Sequence, residues 1–247
     1  MTPDPLSPLL ELPGVAEASE RARDELARVH RHRANLRGWP VTAAEASLRA
    51  ARASSVLDGG PTQVDDSVTR NPVFAGALRV SQAMEGGETP LIGVWRRAPL
   101  QALARLHMLA AADRVDDDDA LGRPRAGSQF GRRLEMLAEL ATGGTRAPAP
   151  IFAAVIHGEL LTLAPFGSAD GVVARAAARL VTIASGLDPH GLGVPEVVWM
   201  RAAGEYRAAA DGFAGGTPEG VANWLLLCCR ALHGGAGEAL KIAGSTG

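Results

Sequence analysis

The chain is short of aromatic side chains, has only two cysteines and lacks any long apolar run free of charge. Each scarcity excludes something. Phe, Trp and Tyr make up 4% of the 247 residues, and Tyr206 is the single tyrosine. β-Branched and aromatic runs, which strands favour, are correspondingly few. Cys228 and Cys229 are adjacent. Neighbouring cysteines rarely close a disulfide with each other and no second pair exists, so both are expected as buried small apolar residues of a reducing, cytoplasmic protein. No uncharged stretch reaches the roughly 18 residues of a membrane span. The first 13 residues carry acids and prolines but no basic segment, so a secretory signal is not expected there. Lys plus Arg number 25 and Asp plus Glu 27, a net charge of -2 that gives no electrostatic reason for a nucleic-acid partner. A basic spot at 28–33 has Glu20, Asp24 and Glu25 close by and reads as a solvated helix face.

Ala, Leu, Arg and Gly are abundant instead. Ala, Leu, Arg and Glu favour helix, and the bias is of the kind a GC-rich bacterial genome produces. An all-α bundle in one domain is the fold class expected. Residues 1–14 hold four prolines and predict a flexible arm. Helices are predicted over 15–37, ending near Gly38-Trp39-Pro40, and over 43–57, with Thr42 as N-cap and Glu45 completing a capping box. The second stops at Asp58-Gly59-Gly60-Pro61, which cannot continue a helix. A polar stretch reaches Arg70. Pro72 and Pro99 open helices to about 84 and 114, with a turn at 85–90. Further helices are predicted over 130–142, 148–163, 170–185, 194–213 and 218–232, followed by a Gly-rich tail. Residues 148–163 are apolar on most faces, which predicts a buried central helix. The domain therefore spans 15–240, with its core at about 43–187 and a flexible tail at 241–247.

Several candidate sites have ordinary explanations. Asp116–Asp119 is a run of four acids, but a calcium loop alternates its acids and closes with a distant Glu; a solvated loop is expected. His30 and His32 stand two apart and do not share a helix face. His157, on an apolar helix, and His107 read as packed core residues; His190 and His233 have no partner in sequence. Ser54, Ser55 and Ser185 lack a nucleophile elbow. No phosphate-binding glycine loop and no zinc-type cysteine spacing is present.

One segment stands apart. Residues 148–180 read as an apolar helix, a short turn holding Pro165, Phe166, Gly167 and Gly171, and a second helix. Such a turn aims backbone N–H groups and a helix N-terminus at an anion. This segment resembles the signature of the Fic (Fido) family of AMP-transferring enzymes, His-Pro-Phe-x-Asp/Glu-Gly-Asn-Gly-Arg-x-x-Arg. Pro165, Phe166, Gly171 and Arg175 match it, and His157 stands seven residues before the first motif position, as a His does in the family. Upstream, Ser54 to Gly59 resembles the Ser-x-x-x-Glu-Gly inhibitory motif, with Asp58 in place of Glu. The two motifs come in the family's order and the likeness covers roughly 43–187, with His107, Gly122 and Arg125 between them.

The resemblance implies which functions have gone. The family's proton-abstracting His is Ala164, its magnesium-holding acid is Ser168, and its first phosphate-gripping Arg is Val172. The nest glycine is Ala169 and the nest Asn is Asp170, whose carboxylate repels triphosphate. The segment between Arg125 and Phe130 is too short for the family's target-docking flap. Loss of a general base alone costs about 10²–10⁴ in rate. No catalytic residue, resident cofactor or metal is therefore expected, ATP and magnesium entering only if activity remains. In inhibited family members the Glu pairs with the second motif Arg, so an Asp58–Arg175 ion pair is predicted.

Three functions fit these features: a non-catalytic regulatory or interaction module with an unidentified protein partner; a nucleotidyl- or phosphotransferase using Asp170 as base; and a nucleotide-binding protein. A homodimer is compatible with each.

Overall fold

Pro72, Pro90, Pro99, Pro195 and Pro218 each occupy the first position of a helix, where a missing N–H costs nothing and the fixed φ is already helical. The computed structural model describes residues 3–63 and 70–245. Among these residues are eleven α-helices and no strand: α1 (Val15–Arg31), α2 (Arg33–Leu57), α3 (Pro72–Gln82), α4 (Pro90–Arg97), α5 (Pro99–Ala111), α6 (Ser128–Glu139), α7 (Ala149–Leu163), α8 (Asp170–Ala184), α9 (Pro195–Arg201), α10 (Ala203–Ala214) and α11 (Pro218–Ser245). Most of the polar stretch expected before Pro72 lies outside the described residues.

The antiparallel pair α7 and α8 forms the most extensive helix contact and the centre of the bundle. α7 is apolar all round because it serves two cores. Its Ala153, Ile156 and Leu160 belong to a cluster shared with residues of α3, α4, α5 and α8. Its Ile151, Ala154 and Val155 pack with α1 and α11. The expected buried central helix is therefore α7, and the expected all-α bundle is the architecture.

Several boundaries differ from those predicted. The first break falls at His32, not at Gly38-Trp39-Pro40, and Pro40 lies inside α2. Buried Asn35 sets this break: its Nδ2 donates to Val29 O (2.8 Å), while its Oδ1 accepts from the Thr42 hydroxyl (2.9 Å). Thr42 thus caps no helix; Trp39 O, next to the proline that supplies no N–H, lies 3.0 Å from the same hydroxyl as its alternative acceptor. α4 fills residues that carried no predicted helix. The helix predicted over 194–213 is two, α9 and α10, turning at Ala202 (ψ 42°).

The Gly-rich tail is helix as far as Ser245. A Cβ on Gly235 would collide with the backbone of Pro195, and one on Gly234 would meet Val198. The glycines bring α11 against α9, and tertiary packing outweighs their poor propensity of about 1 kcal/mol each. The stretch 1–14, expected as a flexible arm, holds a 3-10 turn at Ser7–Glu11 in its described part. Leu6 is buried there, and Asp4 accepts from the Thr145 hydroxyl (2.8 Å) and the Arg146 N–H (2.5 Å).

Candidate functional site

Asp58 is the C-cap of α2, and Gly59 follows in the left-handed region (φ 85°), turning the chain away. On the other side, α7 ends at Ala164 (φ 43°) and α8 begins after Ala169 (φ 53°). These are the two non-glycine residues of positive φ among the described residues. Left-handed backbone costs an L-residue about 1–2 kcal/mol. Two such residues, five positions apart, mark the loop between α7 and α8 as a conformation fixed by its surroundings.

The surroundings are mostly polar. Asp58 reaches over the N-terminus of α8: its Oδ2 accepts from Val172 N–H (3.2 Å) and its Oδ1 from Arg175 Nη2 (2.5 Å). Gly171 makes the approach possible, since a Cβ there would collide with Asp58 Oδ1. Arg175 is 2% exposed. Its Nε donates to Ser54 Oγ (2.8 Å), its Nη2 also to Ser54 O (3.0 Å), and its Nη1 to the Tyr206 oxygen (3.4 Å). Burial opposes the charge of Arg175, but Asp58 and Tyr206 outweigh it and hold the pKa above its ordinary value. The ion pair expected between Asp58 and Arg175 is present.

Asp170 closes the loop from within. Its Oδ1 accepts from Phe166 N–H (2.9 Å). Burial pushes its pKa up, assisted by the nearby Asp58 and opposed by the Phe166 and Gly167 N–H groups and by Arg125. Ser168 meets His107, whose Nε2 lies 3.0 Å from Ser168 Oγ. His107 Nδ1 accepts from Gly122 N–H (2.9 Å), and burial lowers the ring's pKa, so the neutral ring carries its proton on Nε2 and donates to the serine. Phe166 stacks on the same imidazole, 4.3 Å between centroids and 7° apart in plane. Pro165 is buried, and its carbonyl accepts from Arg125 N–H (2.7 Å). The Arg125 guanidinium donates to Ala164 O (2.7 Å) and lies 4.7 Å over the Phe130 ring.

Every predicted signature and inhibitory-like position therefore converges on one place. Ser54, Asp58 and Gly59 come from the end of α2. Ala164, Pro165, Phe166, Ser168, Asp170, Gly171 and Arg175 come from the loop and the first turns of α8. The positive end of α8, a seat for an anion, carries the protein's own carboxylates, Asp58 and Asp170. Residue 164 presents a methyl group, which accepts no proton.

Two participants were not singled out from sequence. Tyr206, on α10, receives Arg175 and lies 2.8 Å from His157 Nε2, joining the site to the core. Burial pushes its phenol up to about 12. A lone tyrosine in the chain was the available signal. Arg125, noted only for its place in the loop, clasps the signature turn. The other candidates lie apart. Asp117 caps a 3-10 turn at Asp118–Ala120 in an exposed loop. His30 bonds to Asp188 (2.8 Å), and His190 stacks on Trp39. Cys228 and Cys229 are buried free thiols, and burial raises the pKa of Cys229 to about 12. No described helix is long and apolar enough to cross a membrane.

No protein-family model matches the chain, and no curated protein matches it in sequence. Among solved structures, a Fic family protein from Desulfovibrio desulfuricans G20 superposes with a TM-score of 0.62. The match covers 93% of this chain and 74% of that one, at 17% identity. The chain has a Fic-like fold. At this identity the fold is what is shared.

Proposed function

We propose that this Fic-like protein transfers no nucleotide and acts as a regulatory or interaction module for a protein partner. One observation carries the reading: the N-terminus of α8 is satisfied internally, by Asp58 on Val172 N–H and by the Asp58–Arg175 pair. A triphosphate seated there would face two carboxylates in place of a nest, with Ala164 offering no base and Ser168 no charge for a metal. Loss of the base and of the charge-stabilising groups compounds, since each alone is worth orders of magnitude in rate. In this reading the surviving Pro165, Phe166, Gly171 and Arg175 keep the turn in shape rather than serve a reaction. Incubation with labelled ATP or other nucleoside triphosphates, with magnesium or manganese, tests it. No label on the protein or on lysate proteins is expected; transfer lost on Asp170→Ala overturns the reading.

A second reading has its own support. Asp170 is a half-buried carboxylate of raised pKa at a helix N-terminus beside Arg125, the environment in which an acid becomes a general base. An active transferase of altered mechanism would use it. Its Oδ1 is already engaged by Phe166 N–H, which weighs towards the first reading. The same labelling experiment separates the two. A thermal-shift screen with nucleotides tests simple binding, since ligand at 100 times its Kd stabilises by about 2.7 kcal/mol.

A further inference from the structure

The polar chain that begins at Asp58 does not end at His157. Arg175 only donates, so the Tyr206 oxygen accepts from it. The one phenol hydrogen of Tyr206 then has His157 Nε2, 2.8 Å away, as its acceptor. His157 is fully buried, and burial together with the charge of Arg175 holds its pKa well below the ordinary value, so the ring is neutral. With Nε2 accepting, the ring proton is on Nδ1. That N–H has no acceptor among the described residues.

A second buried donor stands beside it. The ring of Trp199, on α9, lies edge-on to His157 with centroids 4.7 Å apart, and its Nε1–H is also without an acceptor. The neighbouring indole, Trp224, has its own in Ala154 O (2.8 Å). Leaving a buried donor unmet costs about 1–3 kcal/mol, a cost that an acceptor at each would remove. His157 and Trp199 line one small cavity, together with Arg179, Thr182 and Asp188. The space open there to the centre of a water-sized sphere is about 20 Å³. One water needs roughly 10–15 Å³ on that measure.

We propose that this cavity is an internal hydration site, in which one water oxygen accepts from both His157 Nδ1–H and Trp199 Nε1–H. The space matches a single water. Charge argues against a halide: Arg179 is already paired with Glu196 (2.9 Å), and Asp188 adds a carboxylate to the wall. Asp188 and the Thr182 hydroxyl bring lone pairs to that wall for the water's hydrogens. The site extends the chain of polar contacts from the end of α2 through α8, α10 and α7 to α9.

The wild-type chain tests this without a destabilising substitution. Long-range proton–nitrogen correlation at His157 should report a neutral ring protonated on Nδ1. Both the His157 Nδ1–H and Trp199 indole protons should show cross-relaxation with water. A crystal structure that resolves ordered solvent should place one peak within hydrogen-bonding distance of both nitrogens. A ring protonated on Nε2, or a cavity without density, would falsify the proposal. So would an anomalous bromide peak in the cavity after a halide soak, which would make it an anion site.

Discussion

Arg175 Nη2 and Asp58 Oδ1 meet at 2.5 Å although 117 residues separate them in sequence. The contact ties the end of α2 to the first turns of α8, and the same carboxylate reaches the α8 backbone at Val172. A buried guanidinium whose partner also caps a helix couples two jobs in one side chain. Predictions follow from that coupling and from the loop beside it.

Asp58→Ala leaves the Arg175 charge buried without its carboxylate and uncovers Val172 N–H. Breaking a buried pair from one side costs about 3–5 kcal/mol. Replacing both partners with apolar residues of similar size, Asp58→Leu with Arg175→Met, should recover part of that loss. Urea unfolding of Asp58→Leu, Arg175→Met and the double variant measures it; additive effects would mean that the pair is not coupled.

Gly171→Ala places a methyl group against Asp58 Oδ1. The carboxylate must retreat from Val172 or the helix must shift, and overpacking of this kind costs about 1–3 kcal/mol. In an Asp58→Ala background the same substitution should cost far less. Thermal denaturation of the four-member cycle shows whether the collision is with Asp58.

Ala164 and Ala169 share the left-handed strain but not the environment. Ala164→Gly should stabilise the protein by about 1 kcal/mol, the strain an L-residue carries there. Ala169 is buried in the main core, so removing its methyl forfeits roughly 0.8 kcal/mol of burial. Ala169→Gly should therefore be close to neutral. Equal effects at the two positions would contradict the packing described for Ala169.

Two aspartates should shape the acid limb of stability in opposite directions. Burial would raise the pKa of Asp188, but the His30 hydrogen bond and charge, the Gly193 N–H and Arg179 outweigh it and lower the pKa below 3.8. Its contribution is present above the unfolded pKa and is lost as pH falls through the folded value. Asp170 has a raised pKa, chiefly from burial; it favours the folded state while protonated, and that contribution fades as pH rises from 3.8 through its folded value. Asp188→Asn should flatten the fall in stability at low pH, while Asp170→Asn should remove a decline towards neutrality. Unfolding free energies between about pH 2 and 7, a range that brackets ordinary carboxylate titration, decide both signs.

Sequence alone determined the helical class, because Ala, Leu, Arg and Glu set local propensity and strand-favouring runs are scarce. It also determined most helix starts, because proline and glycine act within a turn. The loop's order and its pairing with Asp58 were legible through the motif resemblance. Tertiary structure decided the rest. The α1–α2 break rests on Asn35 reaching Val29 and Thr42, and the helical tail rests on α9 packing against Gly234 and Gly235. Neither partner is adjacent in sequence, so no local pattern announces them. The role of Tyr206 is of the same kind: one phenol becomes the link between Arg175 and His157 when α10 is laid against α7. Most of all, whether the α8 N-terminus stands open or filled depends on the reach of a carboxylate from the far end of α2. Propensity is a property of neighbours along the chain, whereas the satisfaction of a buried charge is a property of neighbours in space.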